Sequence, residues 1–282
     1  MPSIAIADSE YRYDDDGPRD APAIIFIHGW TADRHRWDVP YSKLQQDYRV
    51  IRFDLRGHGA NVGVPGPYQI ERFAADSVFL MQELGVRKAV LVGHSMGGMT
   101  ALTIALDFPE LVDGLVIIGS VGKMLFSLRR RVLAIVALML PHSVFLRINV
   151  YRAFQRDTPR TEVARYARIA LWLPATMVRS AYRSMLKFDV LERLGEIICP
   201  VLIVHGRNDI QFPVGQAVEL AARIPSSLLK IVFSGHEVPI EQPLEMTRAI
   251  EEYLPRLQSK KSHPGDTTQS HARSAQLTAL PE

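Results

Sequence analysis

The sequence predicts a doubly wound α/β domain interrupted by an all-helical insertion. Three features carry that expectation. Short, continuously apolar runs alternate with helical patterns along most of the chain. The alternation stops over residues 121–196, where only helical patterns occur. A glycine-rich stretch, "LVGHSMGG" (91–98), marks a sharp turn where an apolar run meets a helical pattern.

The expected strands are "AIIFIHG" (23–29), "YRVIRFD" (48–54), "KAVLVGH" (88–94), "LVIIGS" (115–120), "PVLIVHG" (200–206) and "LLKIVFSG" (228–235). They are apolar throughout rather than alternating, as in a parallel sheet covered by helices on both faces. Between them lie "IERFAADSVFLMQELG" (70–85), stopped by Gly85, "GMTALTIALDFP" (98–109), stopped by Pro109, and "GQAVELAARIP" (215–225). The insertion reads as "KMLFSLRRRVLAIVALML" (123–140), "TEVARYARIALWL" (161–173) and "ATMVRSAYRSMLKF" (175–188), punctuated by Pro141, Pro159 and Pro174. The chain therefore divides into a first core part (1–120), a helical cap (121–196), a second core part (197–257) and a polar tail (258–282) expected to be disordered.

Bulk composition narrows the function classes. The chain has 282 residues with 47% hydrophobic and 22% charged, enough to bury a sizeable core. Net charge is only +3, and no basic stretch is interleaved with aromatics, so nucleic acid is not an expected partner. The single cysteine, Cys199, allows no intrachain disulfide and fits a reducing, cytoplasmic setting. Lying between Ile198 and Pro200, it reads as a buried, inert thiol. The N-terminus lacks a basic region followed by an apolar core, so no signal peptide is expected. No apolar run is long enough to span a bilayer. No metal-ligand spacing, phosphate loop or nucleotide fingerprint is visible, so no cofactor is expected.

Gly93-His94-Ser95-Met96-Gly97 matches G-x-S-x-G between an expected strand and an expected helix. That context makes Ser95 the candidate nucleophile, exposed at a strained turn. A serine hydroxyl needs a base at neutral pH. His236, in "FSGHEVPIEQP" just past the last strand, is placed to return to the sheet edge. His28 and His94 are bound to strand ends, His205 lies within a strand and His58 in a glycine-rich loop. The base needs an acid to fix its tautomer. Asp209 in "HGRNDIQFP" follows a strand directly, whereas Glu237 and Glu241 are merely close to His236 in sequence. The oxyanion donors expected are the backbone N–H groups of Met96 and of Trp30, with Gly29 admitting a close approach.

Together, "HGW" (28–30), "DLRGHG" (54–59), "GHSMGG" (93–98), "HGRNDIQFP" (205–213) and "GHEVPIEQP" (235–243) resemble the motifs of the α/β-hydrolase superfamily, in family order. The resemblance implies a mostly parallel eight-stranded sheet flanked by helices, with a helical cap after the sixth strand. It also implies that "DLRGHG" is a structural turn. The sixth strand ends "IIGSVG" without a carboxylate, which favours Asp209 over the acid position of some lipases. Dehalogenases and epoxide hydrolases of similar layout carry Asp where this chain has Ser95, and a thiol nucleophile is likewise excluded.

Within the serine branch the pattern resembles esterases, lactonases and monoacylglycerol-lipase-like enzymes, and also carbon–carbon bond hydrolases of ring-cleavage products. The first expectation is therefore an esterase acting on a small-molecule ester with a hydrophobic acyl group. The second is a carbon–carbon bond or enol-lactone hydrolase of aromatic degradation. The third is a ligand-binding receptor on the same scaffold. In the insertion, "LRRRVLAIVALMLPHSVFL" (128–146) joins three arginines to an apolar stretch. It reads as a helix lining the acyl pocket, with Leu133 and Val136 setting acyl preference; a peripheral membrane contact is the other reading. Arg147, Arg152 and Arg179 are candidates to hold a substrate carboxylate, and Trp172 and Met177 read as core or pocket lining.

Overall fold

The computed structural model describes residues 2–6, 9–124 and 128–261. Its strands are β1 (Ser3–Ile6), β2 (Ser9–Asp16), β3 (Ala23–Ile27), β4 (Arg49–Phe53), β5 (Ala89–His94), β6 (Val112–Ile118), β7 (Val201–Gly206) and β8 (Ser227–Val232). They form one eight-stranded sheet in the order β1-β2-β4-β3-β5-β6-β7-β8. β1 and β2 pair antiparallel, as do β2 and β4; every other neighbouring pair is parallel.

The helices are α1 (Asp38–Leu44), α2 (Ile70–Glu83), α3 (Met96–Asp107), α4 (Leu128–Ala137), α5 (His142–Ala153), α6 (Arg160–Leu171), α7 (Ala175–Lys187), α8 (Val214–Arg223), α9 (Val238–Glu241) and α10 (Pro243–Lys261). The continuously apolar strands follow from burial on both faces. Ile25 of β3, Leu91, Leu115 and Ile203 point into a core shared with α2, α3, α8 and the inserted helices. Their neighbours Ile24, Val92, Val116 and Val204 point into a second core covered by α1 and α10.

Two elements differ from the residue-level reading. β2 carries Asp14, Asp15 and Asp16, an acidic run that does not look like a strand. It pairs all the same, because arginines lie across from it. Arg52 sits directly opposite Asp14 and bonds its carboxylate at 2.9 Å. Arg49 grips Asp15 with two hydrogen bonds of 3.0 and 2.8 Å. The second difference is at the tail. Residues 258–261 continue α10 rather than starting a disordered segment; the remainder of that expectation, 262–282, lies outside the described residues.

Helices α4 to α7 enter the chain between β6 and β7. Among the described residues no helix is long and apolar enough to cross a membrane. Met177 is fully buried as expected, but Trp172 is 84% exposed and belongs to neither core nor pocket. Cys199 is buried, and burial pushes its thiol up to about 11, away from thiolate chemistry.

Candidate active site

Turns at the carboxyl ends of β3, β5, β7 and β8 build the site. At β5 the chain must reverse into α3 within a few residues. Ser95 takes up the strain, with φ +53° and ψ −116°, a region costly for any residue with a side chain. The glycines around it are there for space. A Cβ on Gly97 would lie 2.1 Å from the Ile27 carbonyl oxygen, and one on Gly93 would lie 2.3 Å from that of Gly97. The turn is pinned from β6: the Ser95 N–H donates to Ile118 O at 2.9 Å, and the Ser120 hydroxyl donates to Ser95 O at 2.7 Å.

His236 is delivered by the loop after β8. Its backbone N–H donates to the carbonyl of Ala153, the last residue of α5, at 2.9 Å. Glu241 holds the preceding stretch. Its carboxylate accepts from Gly235 N at 2.6 Å, Ser234 Oγ at 2.7 Å and Gln155 N at 2.6 Å. The ring of Phe212 meets the imidazole edge-on, centroids 5.1 Å apart. The imidazole lies between Ser95 and Asp209, with Nε2 2.9 Å from Ser95 Oγ and Nδ1 2.8 Å from Asp209 Oδ2.

Asp209 is held at its other oxygen. Oδ1 accepts from the N–H groups of Gln211 and Phe212, each at 2.8 Å. Burial works to raise its pKa, but His236, by charge and hydrogen bond, together with His205 and the Phe212 N–H, outweighs it and holds the carboxyl below the usual range. The structure thus joins Ser95, His236 and Asp209 in one hydrogen-bonded series. Glu237 and Glu241 do not touch the ring.

The loop after β3 supplies the opposite wall. His28 donates from Nδ1 to Gly29 O at 2.8 Å and accepts Leu55 N–H on Nε2 at 2.9 Å, tying this loop to the turn at 54–59. In that turn Asp54 accepts from the N–H groups of Arg34 and Ala60 at 2.7 and 2.9 Å, a structural use of its charge. The Trp30 indole donates to Val178 O of α7 at 3.0 Å, and its ring packs on Phe145 and Tyr182. Trp30, Ser95 and His236 border a cavity of about 260 Å³, walled by Leu133 and Ala137 of α4, Ile148 of α5, and Phe154, Tyr182 and Met185. Of the three candidate arginines only Arg152 lines it; Arg179 donates instead to Leu140 O at 2.7 Å. Leu133 lines the wall, but Val136 does not and faces outward.

Sequence reasoning missed a buried ion pair beside this cavity. Arg36, in the short turn at Arg34–Trp37, pairs with Glu237, and its guanidinium lies 4.9 Å over the Tyr166 ring. The only sequence signal was a charged residue directly following His236.

Four other histidines surround the site as neutral groups. Burial holds His28, His58, His94 and His205 below the ordinary histidine value. Their bonds agree: His94 Nε2 donates to His236 O at 3.0 Å, and His205 Nε2 donates to Phe212 O at 2.7 Å. The unfolded chain accepts protons that these rings refuse. Their contribution to stability is therefore complete above the ordinary histidine value, about 6.5, and is lost as pH falls below it. Unfolding free energies from urea titration are expected to be higher at about pH 7.5 than at about pH 5.5, by up to roughly 1 kcal/mol per such histidine. Equal values would show that the rings accept protons inside the fold.

The geometry can be set beside known proteins. A family model described as "alpha/beta hydrolase fold" matches residues 22–243. A 3-oxoadipate enol-lactonase from Acinetobacter baylyi is 26% identical over 258 residues, covering 90% of this chain and 96% of its own. A protein provisionally named carbamate hydrolase RutD, from Agrobacterium fabrum, is 30% identical over 248 residues, covering 84% of this chain and 94% of its own. Among solved structures, a thermophilic esterase from Thermogutta terrifontis superposes with a TM-score of 0.80 at 26% identity, covering 91% of this chain and 99% of that one. With the family match spanning most of its length and relatives aligned nearly end to end, the chain belongs to the alpha/beta hydrolase fold family and is a hydrolase.

Proposed function

We propose that this hydrolase cleaves carboxylic esters with a hydrophobic acyl group, through an acyl-enzyme on Ser95. The observation that carries the reading is the Ser95–His236–Asp209 series, 2.9 and 2.8 Å between partners, bordering an apolar-walled cavity. In the proposed mechanism Ser95 Oγ attacks the ester carbonyl as His236 Nε2 takes its proton. The backbone N–H groups of Trp30 and Met96 receive the negative charge that develops on the carbonyl oxygen. The imidazolium returns its proton to the leaving alkoxide, releasing the alcohol. Water, deprotonated by the same imidazole, then attacks the acyl-enzyme; the carboxylic acid leaves and Ser95 regains its proton. Asp209 keeps Nδ1 protonated and steadies the imidazolium in both halves. Helices α4 to α7 serve as the cap, presenting apolar side chains to the acyl chain. These steps use no cofactor.

A second reading is an enol-lactonase. It is supported by Arg152 at the cavity, a charge suited to a substrate carboxylate, and by the activity for which the Acinetobacter relative is named. A series of p-nitrophenyl esters from acetate to decanoate, run beside a carboxylated enol-lactone and a vinylogous diketo acid, separates these. On the ester reading kcat/KM rises with chain length by up to about fourfold per methylene until the cavity is filled. Turnover confined to the lactone, or to the diketo acid, would replace the ester reading. Tight ligand binding with no turnover of any would make the chain a receptor.

A further inference from the structure

The inserted helices carry an outer surface that the reaction does not use. Residues 128–187 contain twelve Arg and Lys against two acidic residues, Asp157 and Glu162, a net charge of +10. The whole chain is only +3, so the remaining residues sum to −7. The positive charge is thus concentrated on one element of the fold.

That element also exposes large apolar side chains together. Val132, Ile135 and Val136 of α4 are each more than half exposed, and Met139, just past its end, is 83% exposed. Trp172, at the turn between α6 and α7, is 84% exposed. The two groups are neighbours. His142 Nε2 donates to Leu173 O at 3.0 Å, and Arg179 donates to Leu140 O at 2.7 Å, so the end of α4 and the Trp172 turn lie side by side. Arg129, Arg147 and Arg168 are exposed around them, Arg168 one helical turn before Trp172.

We propose that this face docks on an anionic lipid bilayer. Met139, Trp172 and the outer side of α4 enter the acyl boundary, and the arginines meet lipid phosphates at the headgroup level. Each part of the observation answers to that occupant. Apolar side chains flanked by arginines fit an interface that is greasy within and negative at its surface. An indole is amphipathic and suits the same boundary. A second copy of the chain is disfavoured, since pairing this face with itself would bring two strongly positive segments together. Leu133 is both exposed on this face and part of the cavity wall, so the cavity borders the surface that would meet lipid. Entry of acyl chains by that route rests on the ester reading; docking itself does not.

The test is co-sedimentation of the full chain with vesicles of phosphatidylcholine alone or mixed with phosphatidylglycerol. The expected result is pelleting with the anionic vesicles and not with the neutral ones. The double variant Met139→Glu/Trp172→Glu should weaken binding at least tenfold while keeping wild-type turnover of p-nitrophenyl acetate and the wild-type melting temperature. Arg147→Glu/Arg168→Glu should weaken it by roughly fivefold for each arginine removed, or more. Protein left in solution with anionic vesicles would overturn the proposal. So would equal pelleting on neutral vesicles, or folded variants that pellet like the wild type. A dimer in solution that these substitutions dissociate, without vesicle binding, would assign the face to a second copy.

Discussion

Ser95→Ala is expected to abolish labelling by a fluorophosphonate and to lower kcat by about a millionfold, with the melting temperature unchanged. The reagent needs an oxygen made nucleophilic by an adjacent base, and Ser95 Oγ is the atom 2.9 Å from His236 Nε2. Alanine keeps the Cβ that already sits in the turn at φ +53°, so the backbone strain is the same in both proteins. The bonds that hold the turn, from Ser95 N–H to Ile118 O and from Ser120 Oγ to Ser95 O, involve only backbone atoms of this residue and survive. Undiminished labelling of a folded Ser95→Ala protein would place the nucleophile elsewhere.

Asp209→Asn is expected to cost about ten-thousandfold in kcat with the fold retained. The size follows from how the carboxylate is held. One oxygen accepts two backbone N–H groups, from Gln211 and Phe212. An asparagine keeps those bonds only by presenting its carbonyl oxygen to them, which turns its NH₂ toward His236 Nδ1. The imidazole must then accept at Nδ1 and carry its proton on Nε2, where it cannot take one from Ser95. Glu237→Gln makes the contrast. It leaves the imidazole alone but removes the partner of buried Arg36, an uncompensated charge worth about 3–5 kcal/mol of stability. Its kcat, measured below the melting transition, should stay at least about a hundredfold above that of Asp209→Asn. Equal kcat losses would transfer the acid role away from Asp209.

What could be read from the residues, and what could not, divides along range. The apolar strands β3 to β8 and the turn at Ser95 are local patterns: an apolar run, a change of period, glycines at fixed spacing. Asp209 and His236 stand out because each directly follows such a run. β2 was illegible by the same logic, since its three aspartates look like a polar loop until Arg49 and Arg52 of β4 are set beside them. The Arg36–Glu237 pair joins residues far apart in the chain and leaves no periodic trace. Nor does Glu241, whose place six residues after Gly235 says nothing of its grip on Gly235 and on Gln155. Trp172 was misplaced because an aromatic in a helical insertion is most often buried, whereas in the folded chain it stands 84% exposed at the turn between α6 and α7.

The chain order of the site has a consequence for how the protein is made. Ser95 leaves the ribosome early, whereas Asp209 and His236 follow only after the whole insertion between β6 and β7. At ordinary rates of synthesis the interval is on the order of ten seconds. During it, β3 to β6 can assemble from near neighbours, but β7 must find β6 across the inserted helices. Closing so long a loop costs little more in free energy than closing a short one, yet such distant pairings are the slow ones. On the proposed roles, the serine spends that time without its base. A nascent or truncated chain therefore displays the nucleophile unarmed, and hydrolytic competence arrives in a single late event, when β8 docks and the loop carrying His236 closes over the sheet edge.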